Sequence, residues 1–462
     1  MAESMPKKTI LVAVIGLLVL AGLGLAANFL IHRKTSDVHR GLTAPFITSS
    51  TSGKTTTRAK PPGKKGLKTR KHRNASLGPN WPFYGRSLDR TRNAADETAV
   101  RPPFRGVWSS RGGGSLEYPP TYANGVVYEA ADSGYVAAYD LLSGKKLWFR
   151  KFHLTVLGSP ALAERLLYLP CYDGRLYALD RRSGKTVWSH YIGGMLEGSP
   201  AVWRGKVFEG SLSGSMRAFD ASSGRLLWSF ASAGAVKHGP AIVGSRLYFG
   251  DYAGYVYCLK AKTGALIWRQ HTSGLASGYR SGSFYSTPAV AYGRVYIGNT
   301  DGKVYSLVAS NGGLAWTHTF PGWAYGSPAV SGGRVFATSW DGSVAALNAR
   351  TGSVIWSRKL PYRTLASPVV IGNLVYIADR GPAGYSKGDV FAFDVRSGRP
   401  VWHFADGKYS SVITGGGHLI IAGHGRLYVL ETKSAAAQRK AAKTRSRHRS
   451  SSNRRTVKSR SN

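Results

Sequence analysis

The chain has 462 residues, 63 Lys and Arg against 23 Asp and Glu, and a formal net charge of +40. Two cysteines, Cys171 and Cys258, exclude a disulfide framework and are expected to pack as free thiols, while 57 glycines and few helical patterns exclude a helical bundle. Residues 1–75 and 433–462 hold 25 of the basic residues and only Glu3 and Asp37 as acids, so the two ends carry +23 and the rest of the chain +17.

Ile10 to Ile31 is apolar except for Asn28, with Lys7 and Lys8 before it and His32, Arg33 and Lys34 after it. As a helix these residues reach about 33 Å, enough to cross a bilayer core. A cleaved signal peptide is the rival reading, with Gly24-Leu25-Ala26 as its small-residue site, but the apolar run is longer than an ordinary signal core and favours a retained anchor over residues 1–31. No cysteine follows the run, which excludes a lipid-modified anchor. Residues 32–80 are rich in Lys, Arg, Ser, Thr, Gly and Pro, and predict a disordered basic linker able to lie on an anionic surface.

Residues 81–103 carry aromatic and charged residues without a repeat, and are expected to wrap the domain that follows. That domain rewrites one stretch. Asp180-Arg-Arg-Ser-Gly-Lys-Thr-Val-Trp188 recurs at Asp140–Trp148 and Asp220–Trp228, and in looser form up to Trp268, Trp316, Trp356 and Trp402. A glycine stands four residues before each tryptophan: Gly144, Gly184, Gly224, Gly264, Gly312, Gly352 and Gly398. Alternating apolar residues flank each Ser-Gly or Thr-Gly pair, which is a hairpin pattern, and the leading aspartates can accept hydrogen bonds from turn amides. A second turn lies upstream at Asp173-Gly174, Ser213-Gly214, Asp301-Gly302 and Asp341-Gly342, and short apolar strands follow Pro160, Pro200, Pro240, Pro288, Pro328 and Pro368. Four short antiparallel strands in about forty residues describe a propeller blade, with the tryptophan packed between neighbouring blades. Phe104 to Trp108 is a lone outer strand, and the last unit, ending near residue 432, lacks one, so the first strand should complete the last blade. This gives an all-β, eight-bladed ring over residues 81–432 with eight structural tryptophans, Trp108 included. Residues 433–462 predict a second disordered basic tail, able to bind nucleic acid if it lies in the cytoplasm.

The Asp-x-x-Thr-Gly-x-x-x-Trp pattern over residues 104–432 resembles the pyrroloquinoline-quinone-type repeat family. The resemblance implies eight blades and covers both quinoprotein dehydrogenases and non-enzymatic members similar to the assembly lipoprotein BamB. A dehydrogenase of this kind is expected to show adjacent cysteines beside the quinone and a Glu, Asn and Asp set for calcium; this chain has no Cys-Cys pair and no metal-ligand spacing among its histidines. Gly210-Ser211-Leu212-Ser213-Gly214 has Leu at the nucleophile position of a Gly-x-Ser-x-Gly motif and is set aside.

The period is broken by eight extra residues before blade five, around Gly278 to Ser286, and six in blade seven, around Arg380 to Gly388. Both insertions fall in connections that emerge on one face, where binding loops belong. That face gathers the candidate interaction residues Glu117, Glu197, His238, Arg280, Tyr285, Trp323, Tyr325, Trp340, Arg363 and Tyr409, with Lys237 beside them. The leading expectation is a cell-membrane, single-pass, non-catalytic scaffold that binds a protein or an anionic envelope polymer and carries no cofactor. Flanking charges favour a cytoplasmic ring by one residue, but the resemblance implies an extracytoplasmic one, and large domains cross regardless of charge. The alternatives are a quinone-dependent dehydrogenase with an altered site, and a cytoplasmic-facing nucleic-acid binder.

Overall fold

The computed structural model describes residues 79–272, 282–382, 387–407 and 412–437. The expected membrane anchor, most of the linker and the tail beyond 437 lie outside the described residues. Among the described residues no helix is long and apolar enough to cross a membrane.

Eight separate sheets form the ring, each with four strands in meander order, and a short fifth strand, Asn93–Ala94, pairs parallel to Val369–Ile371 of blade seven. Blade two shows the plan: Ala161–Ala163, Leu166–Pro170, Arg175–Asp180 and Thr186–Tyr191 run from the innermost strand outward. Its second strand is buried throughout, because both of its faces meet neighbouring blades, whereas the outermost strand alternates between exposed and half-buried positions. The third-to-fourth turn is held as its sequence predicts, with Asp180 Oδ1 accepting from the Ser183 amide at 3.0 Å and from the Ser183 hydroxyl at 2.9 Å.

The tryptophans tie blade to blade. The Trp148 indole donates to the Arg181 carbonyl of the next blade at 2.8 Å, and the same bond recurs from Trp108, Trp188, Trp228, Trp268, Trp316 and Trp356. A bulge just before each tryptophan shifts the strand register, as at Val187, and aims the ring at the neighbour. Trp402 lies where the chain is cut between its two ends; it meets Phe104 edge-on with centroids 5.2 Å apart. Closure is as expected: Phe104–Arg111 pairs antiparallel with Arg426–Thr432 as the outer strand of blade eight. The tail differs from the expectation at its start, where residues 433–437 form one helical turn.

The segment before the ring also departs from the expectation, since it fills the central channel and does not wrap the outside. Trp81 exchanges two backbone bonds with Tyr122, and the carbonyls of Pro82, Leu88, Asp89, Thr91 and Arg92 then accept from the innermost strands of blades two, four, five, six and seven in turn. The inner strands turn backbone amides toward the channel, so an extended segment satisfies them as a further strand would. Two fully buried arginines fix this plug. Arg90 donates to the carbonyls of Tyr84, Pro240, Ser199 and Pro200, and Arg92 donates to those of Arg90 and Pro328. Burial and the neighbouring Arg92 charge pull the Arg90 guanidinium down to about 9, which still leaves it cationic at neutral pH.

Candidate functional site

In an antiparallel blade the first-to-second and third-to-fourth turns emerge on one face of the ring, and the second-to-third turns and blade-to-blade connections on the other. The plug closes the channel, and above it, on the connection side, a cup of about 120 Å³ remains. Trp81, Tyr84, Gly85 and Arg92 of the plug line it, and the blade connections add Glu117, Tyr118, Pro119, Glu197, Lys237, His238, Tyr285 and Tyr325 around the wall. Each connection ends at the Pro or Ser that opens an inner strand, so successive repeats deliver the same position to the same level of the wall.

Two charged groups of the cup, Lys237 and Glu197, are engaged with each other. Lys237 Nζ lies 2.8 Å from Glu197 Oε1, and the Tyr172 hydroxyl donates to Glu197 Oε2 at 2.8 Å. Lys237 also stands 4.8 Å over the Tyr285 ring, and the Arg92 guanidinium 4.3 Å over that of Tyr84. Burial, helped by the charges of Lys237 and Arg92, holds His238 well below the ordinary histidine range, so its imidazole is neutral. Burial pushes the Tyr118 and Tyr252 phenols up. The cup therefore presents protonated phenols, a neutral imidazole and a paired lysine, which suit hydrogen bonding and stacking.

An aromatic arc continues from its rim. Tyr252 stacks on Tyr285 at 4.4 Å, Tyr285 meets Tyr325 at 4.7 Å, and Tyr325 joins Trp323 and Trp340 at 5.7 and 6.4 Å. Arg363 and Arg380 lie 5.4 and 5.2 Å over the Trp340 ring, and Trp323 is 37% exposed. Of the ten residues proposed from sequence, Glu117, Glu197, His238, Tyr285 and Tyr325 meet in the cup, and Trp323, Trp340 and Arg363 form the adjoining arc. Arg280 and Tyr409 lie outside the described residues.

Sequence reasoning missed Tyr172 and Tyr252, although they hold the same repeat position as Trp340, two before the turn glycines Gly174, Gly254 and Gly342. Aligning the repeats on those glycines would have found them. It also missed Tyr84, Arg92 and Tyr118; the plug residues among these sit outside the repeat and carry no periodic signal.

A quinone cofactor would need donors that the described residues of the cup do not offer. Cys171 and Cys258 are free, buried and in different blades. The cup wall supplies two carboxylates, Glu117 and Glu197, but no Asp or Asn to join them, and Glu197 is taken by Lys237 and Tyr172. Among the described residues no group of three His, Cys, Asp or Glu could hold a metal. The donor set among the described residues does not fit a calcium-bound quinone.

Eight repeat blades stitched by indole bonds and closed by an N-terminal strand make this a pyrroloquinoline-quinone-type repeat β-propeller. A family profile described as outer membrane protein assembly factor BamB matches residues 104–217, 212–296 and 275–460, and the chain belongs to that family. Among solved structures it is similar to BamB from Moraxella catarrhalis, at 21% identity and a TM-score of 0.62, covering 71% of this chain and 99% of that one. It is also similar to quinohemoprotein alcohol dehydrogenase from Comamonas testosteroni, at 15% identity and a TM-score of 0.64, over 78% of this chain and 81% of that one. A europium-containing methanol dehydrogenase matches at 13% identity and a TM-score of 0.65, over 77% of this chain and 98% of that one. No curated protein matches it. At these identities the structural likenesses show the fold alone.

Proposed function

We propose that this protein is a membrane-anchored, non-catalytic scaffold that holds a protein partner on the connection face of its propeller. One observation carries the reading: the arc Tyr252–Tyr285–Tyr325–Trp340, flanked by Trp323 and two arginines over the Trp340 ring, runs beside a cup whose Lys237 and Glu197 are already paired. Tyr, Trp and Arg on a rigid frame are the side chains that anchor protein interfaces, since they offer large contact area at little cost in conformational entropy. The family's description as an assembly factor for outer membrane proteins supports a protein partner in an envelope complex. The apolar run from Ile10 to Ile31 supports an anchored ring. An anionic envelope polymer is the second partner class that the basic ends would suit.

The test is photo-crosslinking in intact cells from a reactive side chain at Trp323, with Thr263 on the opposite face as the control. The expected result is one discrete protein adduct from the first site, lost in Trp340→Ala, and none from the second. Titration with pyrroloquinoline quinone and calcium should show no saturable binding. Stoichiometric binding with substrate-dependent dye reduction would sink this reading in favour of the dehydrogenase.

A further inference from the structure

The ring is polarised in charge. On the face opposite the cup, the third-to-fourth turns span 140–146, 180–186, 220–226, 260–266, 308–314, 348–354 and 394–400, and these hold eleven Lys and Arg against four Asp. Each of the four, Asp140, Asp180, Asp220 and Asp394, spends its carboxylate on amides and hydroxyls of its own turn. On the cup side, the second-to-third turns counted with the same flanking residues hold Asp132, Asp173, Asp251, Asp301, Asp341 and Asp379 against Arg175, Lys303, Arg380, Lys387 and Arg426, so the excess of cations is absent there. The cations Lys145, Arg182, Lys185, Arg225, Lys262 and Arg396 are exposed, and none makes an ion pair among the described residues.

Both ends of the ring leave on this same cationic face. Asn80, where the chain enters, is bonded to the amide of Asn124 at 3.0 Å in the first-to-second turn of blade one. Thr432 ends the third strand of blade eight, which runs toward the third-to-fourth side, and the Lys433 amide bonds Pro103 there. The sequence beyond each exit is itself basic.

We propose that this face docks flat on an anionic bilayer surface, with phosphate head groups as the ligand, and so turns the aromatic arc and cup away from the membrane. Exposed cations without ion pairs on blades one to four and seven, with basic sequence continuing from both exits, match a planar sheet of negative charge, and no side chain need enter a groove. A planar array at many azimuths favours a lipid surface over duplex nucleic acid, which would engage only one edge of the ring at a time. The inference uses the anchored reading for its geometry, not for its charge.

The experiment places the full chain in nanodiscs of phosphatidylcholine alone and of phosphatidylcholine with phosphatidylglycerol, each containing a lipid-borne quencher. A fluorophore is attached at Thr263→Cys on the cationic face or His153→Cys on the cup face; both positions are exposed, and the buried Cys171 and Cys258 do not compete. The expected result is quenching at Thr263 on anionic discs alone, reversed by salt, with His153 bright on both. Each basic residue near such a surface is worth about a factor of five in affinity, so Arg182→Glu with Lys185→Glu and Arg225→Glu should weaken flotation with anionic vesicles at least about a hundredfold. Equal quenching at Thr263 on the two lipids, or quenching at His153 on anionic discs, overturns the proposal. Preference for duplex DNA over anionic discs at equal phosphate would replace the lipid with nucleic acid. Loss of the protein from neutral discs at high salt would overturn the anchor alone, because flotation with anionic vesicles still reads the face.

Discussion

Gly184 lies under the indole of Trp148, so close that a Cβ added to the glycine would stand 2.6 Å from the ring. The same contact joins Gly144 to Trp108, Gly224 to Trp188, and so on to Gly398 and Trp356. The motif's glycine thus serves two blades at once: its positive φ of 70° makes its own turn, and its missing side chain receives the tryptophan of the blade before.

Gly184→Ala should therefore cost more than φ strain alone. Gly205 has a similar φ of 71°, and a methyl group added there would meet nothing within 4 Å, so Gly205→Ala reports the backbone cost, about 1 kcal/mol. Gly184→Ala adds displacement of the indole, a further ~1–3 kcal/mol. Denaturant unfolding of both variants checks this, and equal losses would show that the indole contact carries nothing.

Closure of the ring predicts the effect of removing its outer strand. Deleting residues 104–111 exposes the backbone edge of Arg426–Thr432 and strips Trp402 of the Phe104 ring. The shortened chain is expected to aggregate. A monomer with unchanged melting, by light scattering and calorimetry, would contradict the closure.

The plug hangs on Arg90. Arg90→Met removes the donor to four buried carbonyls, and should cost about 3 kcal/mol or more while loosening residues 81–100 ahead of the blades. Hydrogen exchange should then rise first at the amides of Leu162, Ile242, Val290 and Val330, whose acceptors lie in the plug. Uniform exchange across all eight blades would mean that the plug and ring melt together.

A buried carboxyl beside the plug makes stability depend on pH. Burial raises Glu209 from 4.5 to about 8, although the Arg90 charge opposes the shift. The folded state keeps a proton that the unfolded chain releases above about 4.5, so this contribution is whole below that pH, is lost as pH rises toward about 8, and changes no further. The slope in that window reaches about 1.4 kcal/mol per pH unit. Burial raises Glu129 to about 7 in the same sense, so Glu209→Gln should flatten the fall in melting temperature without abolishing it. An unchanged pH profile in that variant would show that Glu209 is ionised in the fold.

The amino-acid sequence by itself determined the blades. Turn glycines, the aspartates before them and apolar alternation act within some ten residues, and the repeat makes each local signal legible many times over. Even closure was readable, because a spare strand such as Phe104–Arg111 and a missing one must pair. Tertiary structure alone decided where the non-repeating pieces go. Nothing local tells Arg90 and Arg92 to enter the channel, since the ring carbonyls they bond, those of Ser199, Pro200, Pro240 and Pro328, lie more than a hundred residues away and converge only when the ring shuts. The cup and its arc share that origin: Tyr252, Tyr285 and Tyr325 are ordinary turn residues until three blades set them 4.4 and 4.7 Å apart. The segregation of charge between the faces follows for the same physical reason, because alternate turns of a meander point to opposite sides only after the strands pair.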